Sequence, residues 1–307
     1  MTRDTQNTTI DVLFPYYGDV EMMKKAVYSV LSQTYTNWRL LAFDDGYPSE
    51  EPVKFFEKII KEDTKTHGMQ RVFYEKNKKN LGANGNYKKA LNRASAEYYV
   101  MMGADDLMHA DFLQKFINSL KKTGTIDIYQ PSVDVVDEND NKYLPLADKV
   151  KRHLQPKKTG IYEGEYISRS LLHGAWHYFP SMIWKTASAK KVGFNKDYDV
   201  VQDICMILDI LQDGGTMFFD ADAYSFSYRR HSQSDSSVKA INGYRFNEEL
   251  NFFRYKAAQF KALGWHKAEL AARLHITSRL NAIVSIPKSL RSEHGKPLTI
   301  LKSVISW

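Results

Sequence analysis

The stretch IDVLFPYYGDVEMMKKAVYSVLSQTYTNWRLLAFDDG, residues 10–46, decides the fold. Its opening, Ile10 to Phe14, reads as a buried strand ended by Pro15, after which Gly18 and Asp19 supply a turn and a helix N-cap. Val20, Met23, Ala26, Val27, Val30 and Leu31 then recur at helical spacing. Trp38 to Phe43 is a second buried strand, closed by Asp44-Asp45-Gly46. The same unit repeats outward. Pro52 opens a helix with Val53, Phe56, Ile59 and Ile60 inward, and Arg71 to Tyr74 is a strand. A helix over Asn84 to Ala94 leads to the strand EYYVMM, Glu97 to Met102, which stops at Gly103-Ala104-Asp105-Asp106. The helix Asp111 to Lys122 and the strand Ile126 to Tyr129 follow.

Strands alternating with helices across short turns specify an α/β fold, a mostly parallel sheet with helices on both faces. Right-handed crossovers bring the strands' C-terminal ends to one edge, where ligands bind. Tyr16-Tyr17, Asp44-Asp45 and Asp105-Asp106 all fall at such ends. Farther along, Lys142 to Thr159 reads as a surface loop, Tyr178 to Trp184 as strand-like and Val200 to Leu211 as a helix. Thr216 to Phe219 and Tyr224 to Tyr228 read as two strands, and Gly243 to about Ser285 as helical, ending just short of Pro287.

Composition narrows the classes. With 307 residues, 43% hydrophobic and 26% charged, the chain is globular rather than disordered. No apolar run approaches the ~20 residues that span a bilayer, and Met1 to Thr9 is polar, unlike a signal peptide. The single cysteine, Cys205, excludes an intrachain disulfide and a thiolate zinc cage. A cytoplasmic protein is expected, soluble or held on the inner face of a membrane. The net charge of +7 is concentrated at the end: from Arg254 onward ten Lys/Arg face only Glu269 and Glu293, which leaves the rest at −1. Such a stretch can meet an anionic membrane surface or be a solvated helix face; it can also pair two copies. Nucleic acid is not expected, because the basic residues are not interleaved with aromatics.

Several residues can carry chemistry. Asp105 and Asp106, on a turn made small by Gly103 and Ala104, offer the hard oxygens that Mg²⁺ or Mn²⁺ prefers, or they cap the following helix. Asp44 and Asp45 can hold a base or ribose, or form an Asx turn. Tyr16 can stack on a base or simply pack. Asp203, at the start of an apolar helix, is either a dipole-complementing acid or a general base. His231, after Arg229 and Arg230, can help hold a diphosphate or a cation. Trp176, His177 and Tyr178 form a sugar platform or belong to the core.

Together these motifs resemble the inverting glycosyltransferases of family two, which have the GT-A fold. VLFPYYGDVEMMKKAVYSVLSQTYTNWRLLAFDDGYP resembles that family's start, Asn80-Leu81-Gly82 through Asn86 its next donor-site turn, and YYVMMGADDLMHADFL its metal signature. PSMIWKTASAKKVG and VVQDICMILDIL resemble its acceptor-side strand and its base-bearing helix. The resemblance implies that Pro15, Tyr16 and Asp44 bind the nucleotide base, with Asp45, Gly82 and Asn86 nearby. It implies that Ala104 and Asp105 meet the ribose or sugar, Asp106 ligates Mn²⁺ or Mg²⁺, Asp203 is the base, and His231 is a further metal or diphosphate contact. The implied reaction is a single inverting displacement that moves one sugar from a nucleotide-diphosphate donor, UDP-linked by family preference. The acceptor would be a glycan or lipid-linked molecule of cell-surface polysaccharide synthesis. Residues 8–240 would form the catalytic domain and 241–307 a basic helical extension.

Two departures stand out. An acid is commoner where this chain has Gly103, and the Gln-x-x-Arg-Trp signature of processive synthases is absent, which favours one sugar per encounter. A nucleotidyltransferase would want a glycine-rich, lysine-bearing loop where Pro15 to Asp19 stands. A non-catalytic carbohydrate binder would have no need of Asp44, Asp106 and Asp203.

Overall fold

The computed structural model describes residues 7–230, 243–292 and 295–305. Its first half follows the alternation: β1 (Ile10–Tyr16), α1 (Val20–Leu31), β2 (Trp38–Asp44), α2 (Glu51–His67), β3 (Val72–Lys76), α3 (Gly82–Arg93) and β4 (Tyr98–Met101). The strands lie parallel in the order β3-β2-β1-β4. Asp19 caps α1 by accepting the Met22 amide at 2.8 Å, and Pro52 sits in the first turn of α2. Alternate residues of β1 serve opposite faces, as strand geometry requires. Ile10, Val12 and Phe14 enter one core with α1 and α2, while Leu13 enters the other.

The second half comprises β5 (Leu107–Met108), α4 (Phe112–Thr123), β6 (Ile128–Val136), α5 (Leu146–Leu154), β7 (Gly160–Glu163), α6 (Gly164–His173), β8 (Ile183–Lys185), α7 (Thr186–Val192), α8 (Gln202–Gln212) and β9 (Thr216–Arg229). Here the sheet turns mixed: β8 runs antiparallel between β4 and β6, and β9 lies parallel to β6. β5 and β7 pair with β9 in antiparallel fashion.

Three local expectations are corrected. Residues 142–159 are not only a loop, since they contain α5, whose Asp148 is fully buried. The charged composition hid this helix because Asp148 and its neighbours bury charge against partners instead of apolar surface. Residues 178–184 form a 3₁₀ turn at Phe179–Ser181, and the strand begins only at Ile183; Pro180 cannot donate to a ladder. The two strands expected over residues 216–228 are one, β9, paired to β6 through register shifts around Ser132.

The C-terminal region folds as α9 (Tyr244–Ala262), α10 (His266–Leu274), α11 (Ile276–Leu290) and α12 (Pro297–Ile305). Pro287 lies inside α11 and does not end it. α9 and α10 place Phe252, Phe253, Ala257, Phe260, Ala271 and Ala272 in the same core as Leu13, Met101 and the apolar side of α8. The hydrophobic core therefore runs on across residue 240. α11 and α12 meet Phe246 in a separate small cluster through Ala282 and Ile300. Among the described residues, no helix is long and apolar enough to cross a membrane.

Candidate active site

The C-terminal ends of β2, β1 and β4 share one rim. The Asp45 amide donates to Tyr16 O at 2.8 Å and the Met102 amide to Leu13 O at 2.9 Å, so the three strand ends leave the sheet locked together. Asp44 is fully buried; Oδ1 accepts the Tyr47 amide at 2.7 Å and Oδ2 accepts the Tyr74 hydroxyl. It makes the Asx turn. Asp45 Oδ1 accepts Asn77 Nδ2 at 2.7 Å and the Leu81 amide at 2.8 Å. Asn77 also donates to Asn86 Oδ1, and Asn86 Nδ2 donates to Phe43 O at 2.8 Å. Gly46, at φ +77°, fits this turn because a side chain there would press on the Lys79–Asn80 backbone. Gly82, at φ +74°, opens α3 on the exposed side of the same turn.

Tyr16 has no open face: it is 1% exposed, packs on Tyr47 and donates its hydroxyl to Gly18 O at 2.9 Å. Burial, the largest cause, and the Tyr47 and Asp44 charges raise its pKa. Pro15 is buried beside it. Tyr17, 56% exposed and set edge-on to Tyr47, is the ring offered at this corner. The apolar rhythm of β1 gave no reason to single it out.

At the end of β4 the acids lie over a glycine. A methyl group added at Gly103 would stand 2.5 Å from Asp106 Oδ2 and 3.0 Å from Asp105 Oδ1, so both carboxylates use the space a side chain would fill. This accounts for glycine at a position where the related signature carries an acid. Asp106 is 1% exposed, and its Oδ1 accepts the Arg229 amide at 2.8 Å. Its pKa is well above the usual carboxylate range: burial raises it most, Asp105 raises it further, and Arg229 opposes only in part. Arg229, buried at the end of β9, clamps the turn by donating to Asp105 O at 2.7 Å, Asp137 O at 2.6 Å and Asp140 Oδ1 at 2.5 Å. It is committed to building the turn and is not presented to a diphosphate.

Asp203 stands in the first turn of α8, half-buried. His177 Nε2 donates to its Oδ2 at 3.0 Å, and Oδ1 accepts the Ile204 amide at 2.7 Å. Burial alone would raise its pKa, but His177, the Ile204 amide and Lys151 together pull it below the ordinary value. Lys151, on α5, donates to His177 O at 2.9 Å, and burial with the nearby Arg230 pushes its pKa down to about 8. Arg230 grips Asp148 with two hydrogen bonds of 2.6 and 2.9 Å. Trp176, His177 and Tyr178 are all buried, so they are core and not an exposed platform.

These pieces join into a ring. From Asp45 the contacts pass through Asn77 and Asn86 into α3, where Asn84 meets Asp199 and Gln202 at the start of α8. From Asp203 they return through His177 to Lys151, which lies over the Tyr178 ring; the Tyr178 hydroxyl donates to Asp148, which Arg230 grips, and the adjacent Arg229 reaches Asp106. Asp44, Asp106 and Asp203 thus stand on one connected rim. His231 lies outside the described residues. Among those described, no cluster of three His, Cys, Asp or Glu forms a ready metal cage. The paired oxygens over Gly103 instead fit a cation that takes its remaining ligands from a phosphate.

Sequence reasoning passed over Lys151 and Glu248, and took His177 only as part of a sugar platform or of the core, not as the partner of Asp203. Glu248, buried on α9, accepts the amides of Asp199, Val200 and Val201 at 2.9, 2.6 and 2.9 Å, which holds the N-terminus of α8 where it carries Asp203.

Residues 11–185 match glycosyl transferase family 2, more than half of the chain, and the chain belongs to that family. An uncharacterized glycosyltransferase of Methanocaldococcus jannaschii is 25% identical over 206 residues, 65% of this chain and 65% of that protein. One from Haemophilus influenzae is 22% identical over 248 residues, 79% of this chain and 69% of that one, and one from Rickettsia typhi is 21% identical over 207 residues. The match covers between 59% and 69% of these relatives' own length. S. aureus TarS, solved with UDP-GlcNAc, superposes with a TM-score of 0.60 at 14% identity, over 96% of this chain and 70% of that one. The mannosyltransferase PcManGT from Pyrobaculum calidifontis, solved with GDP-Man and Mn²⁺, gives 0.58 at 14% identity, over 97% and 79%. Likeness at that identity establishes the GT-A fold.

Proposed function

We propose that the protein is a metal-dependent, inverting glycosyltransferase that moves one sugar from a nucleotide-diphosphate donor, UDP-linked by preference, to a glycan or lipid-linked acceptor of surface polysaccharide synthesis. The observation that carries this reading is the pair of rim acids with opposite electrostatics, Asp106 burdened and Asp203 relieved. In it, Pro15, Tyr16, Asp44, Asp45, Gly82, Asn86, Ala104 and Asp105 build the donor pocket, with Tyr17 supplying the open ring. Asp105 and Asp106 would hold Mn²⁺ or Mg²⁺, which offsets charge on the departing diphosphate. Asp203 accepts the proton of the acceptor hydroxyl as its oxygen attacks the anomeric carbon; the bond to the diphosphate breaks on the opposite face. His177 and the α8 amides fix the carboxylate's orientation.

Thermal-shift titration with UDP, GDP and other nucleoside diphosphates, with and without Mn²⁺, tests the donor half. Stabilisation by one nucleotide that requires the metal supports the reading; indifference to every pair sinks it.

A further inference from the structure

α11 carries its apolar residues on the wrong side for a helix that only packs on its own protein. Ile276, Leu280, Ile283, Val284 and Leu290 are between 48% and 71% exposed. At 3.6 residues per turn they fall within about 120° of arc, a single stripe. The opposite side, which faces the protein, is mostly small and polar, with Ala282 and Ser289 buried and Ser285 half-buried, and Ile286 packs half-buried against the Phe246 cluster. α12, packed against α11, adds exposed apolar residues: Leu298, Leu301 and Ile305 are outward, while Ile300, Ser303 and the half-buried Val304 face inward. Residues 276–305 also hold five basic side chains, Arg279, Lys288, Arg291, Lys296 and Lys302, against one acid, Glu293. An outward apolar stripe among cations is the composition of a helix that lies in a membrane interface.

We propose that α11 and α12 dock the protein on an anionic lipid surface, with the stripe of α11 lying among the acyl chains and the lysines and arginines at the headgroups. Charge selects this occupant over a second copy: pairing two such faces would bring ten basic groups together, whereas anionic headgroups neutralise them. α9 and α10 tie this surface to the core that carries α8, so docking would hold the rim at a fixed height above the lipid. The inference stands apart from the proposed chemistry, because lipid binding is read without any transfer reaction.

Co-sedimentation of the full chain with vesicles of phosphatidylcholine containing phosphatidylglycerol, against phosphatidylcholine alone, tests it. Binding is expected to the anionic vesicles and to weaken with salt. Leu280→Asp with Val284→Asp should reduce it roughly tenfold or more, as should Lys288→Glu with Arg291→Glu. All four positions are exposed, so both variants should keep the parent melting temperature. Equal binding by parent and variants would overturn the proposal, as would no binding to either vesicle. Stripe-dependent dimers in sedimentation velocity without lipid binding would assign the face to a second copy.

Discussion

Asp106 and Asp203 are two acids on one rim that the fold treats in opposite ways. Asp106 is buried over Gly103 beside Asp105, and one backbone amide is its main relief, so its charge is held at a cost. Asp203 is less enclosed and is met by His177, the Ile204 amide and the field of Lys151, so its charge is welcome. The difference teaches what each position lacks. A burdened carboxylate is completed by a cation. A relieved one stays ionised at rest, which suits the proposed role of accepting a proton, at some loss of basicity.

The strongest way to break this division is Asp203→Asn, which should lower transfer by about 10²–10⁴ while leaving nucleotide affinity nearly unchanged. Steady-state turnover and a binding titration on the same sample check it. Asp106→Ala should weaken nucleotide binding in Mn²⁺ at least about tenfold, because on the proposed reading the cation loses a ligand. Without metal, the uncharged variant Asp106→Asn should melt no lower than the parent at neutral pH. The sign follows from linkage: a carboxylate whose pKa is raised on folding loses stability as pH rises from the unfolded toward the folded value. Metal affinity of the parent should accordingly fall as pH is lowered, since the cation competes with the proton for Asp106, and titrations with Mn²⁺ at several pH values read this directly.

His177→Phe sharpens the other side. Asp203's depressed pKa contributes stability above the unfolded value that is lost as pH falls through the folded one. Removing His177 should move the acidic limb of the pH–rate profile upward, a change that a purely structural role would not produce. The smallest expected effect is Glu248→Gln, which keeps the shape but drops the charge facing three amides. A loss of about 1–3 kcal/mol in denaturant unfolding is expected, with kcat falling more than KM rises.

Much of this was legible in the sequence. The βα alternation of residues 10–106 and the strand-end positions of Asp44 and Asp106 follow from apolar period and turn residues, which act locally. The exposures did not follow: Tyr16 and Asp44 turn out to build the rim's interior, because a strand-end residue can point either way. The Asp203–His177 pair joins residues 26 apart, and the Glu248 cap reaches back 49 residues to Asp199. Neither leaves a periodic trace. α5 was hidden because its buried face is a salt bridge, and the inverted side of α11 because hydrophobic spacing alone does not say which face is outside.

The most direct test of the central claim compares UDP affinity in Mn²⁺ for the parent, Asp106→Ala and Asp203→Asn, with GDP run in parallel. Asp106→Ala is predicted to lose affinity and Asp203→Asn to keep it, with transfer strongly lowered in both. Equal loss in the two variants, or none in either, would contradict a rim on which one acid serves the cation and the other the acceptor.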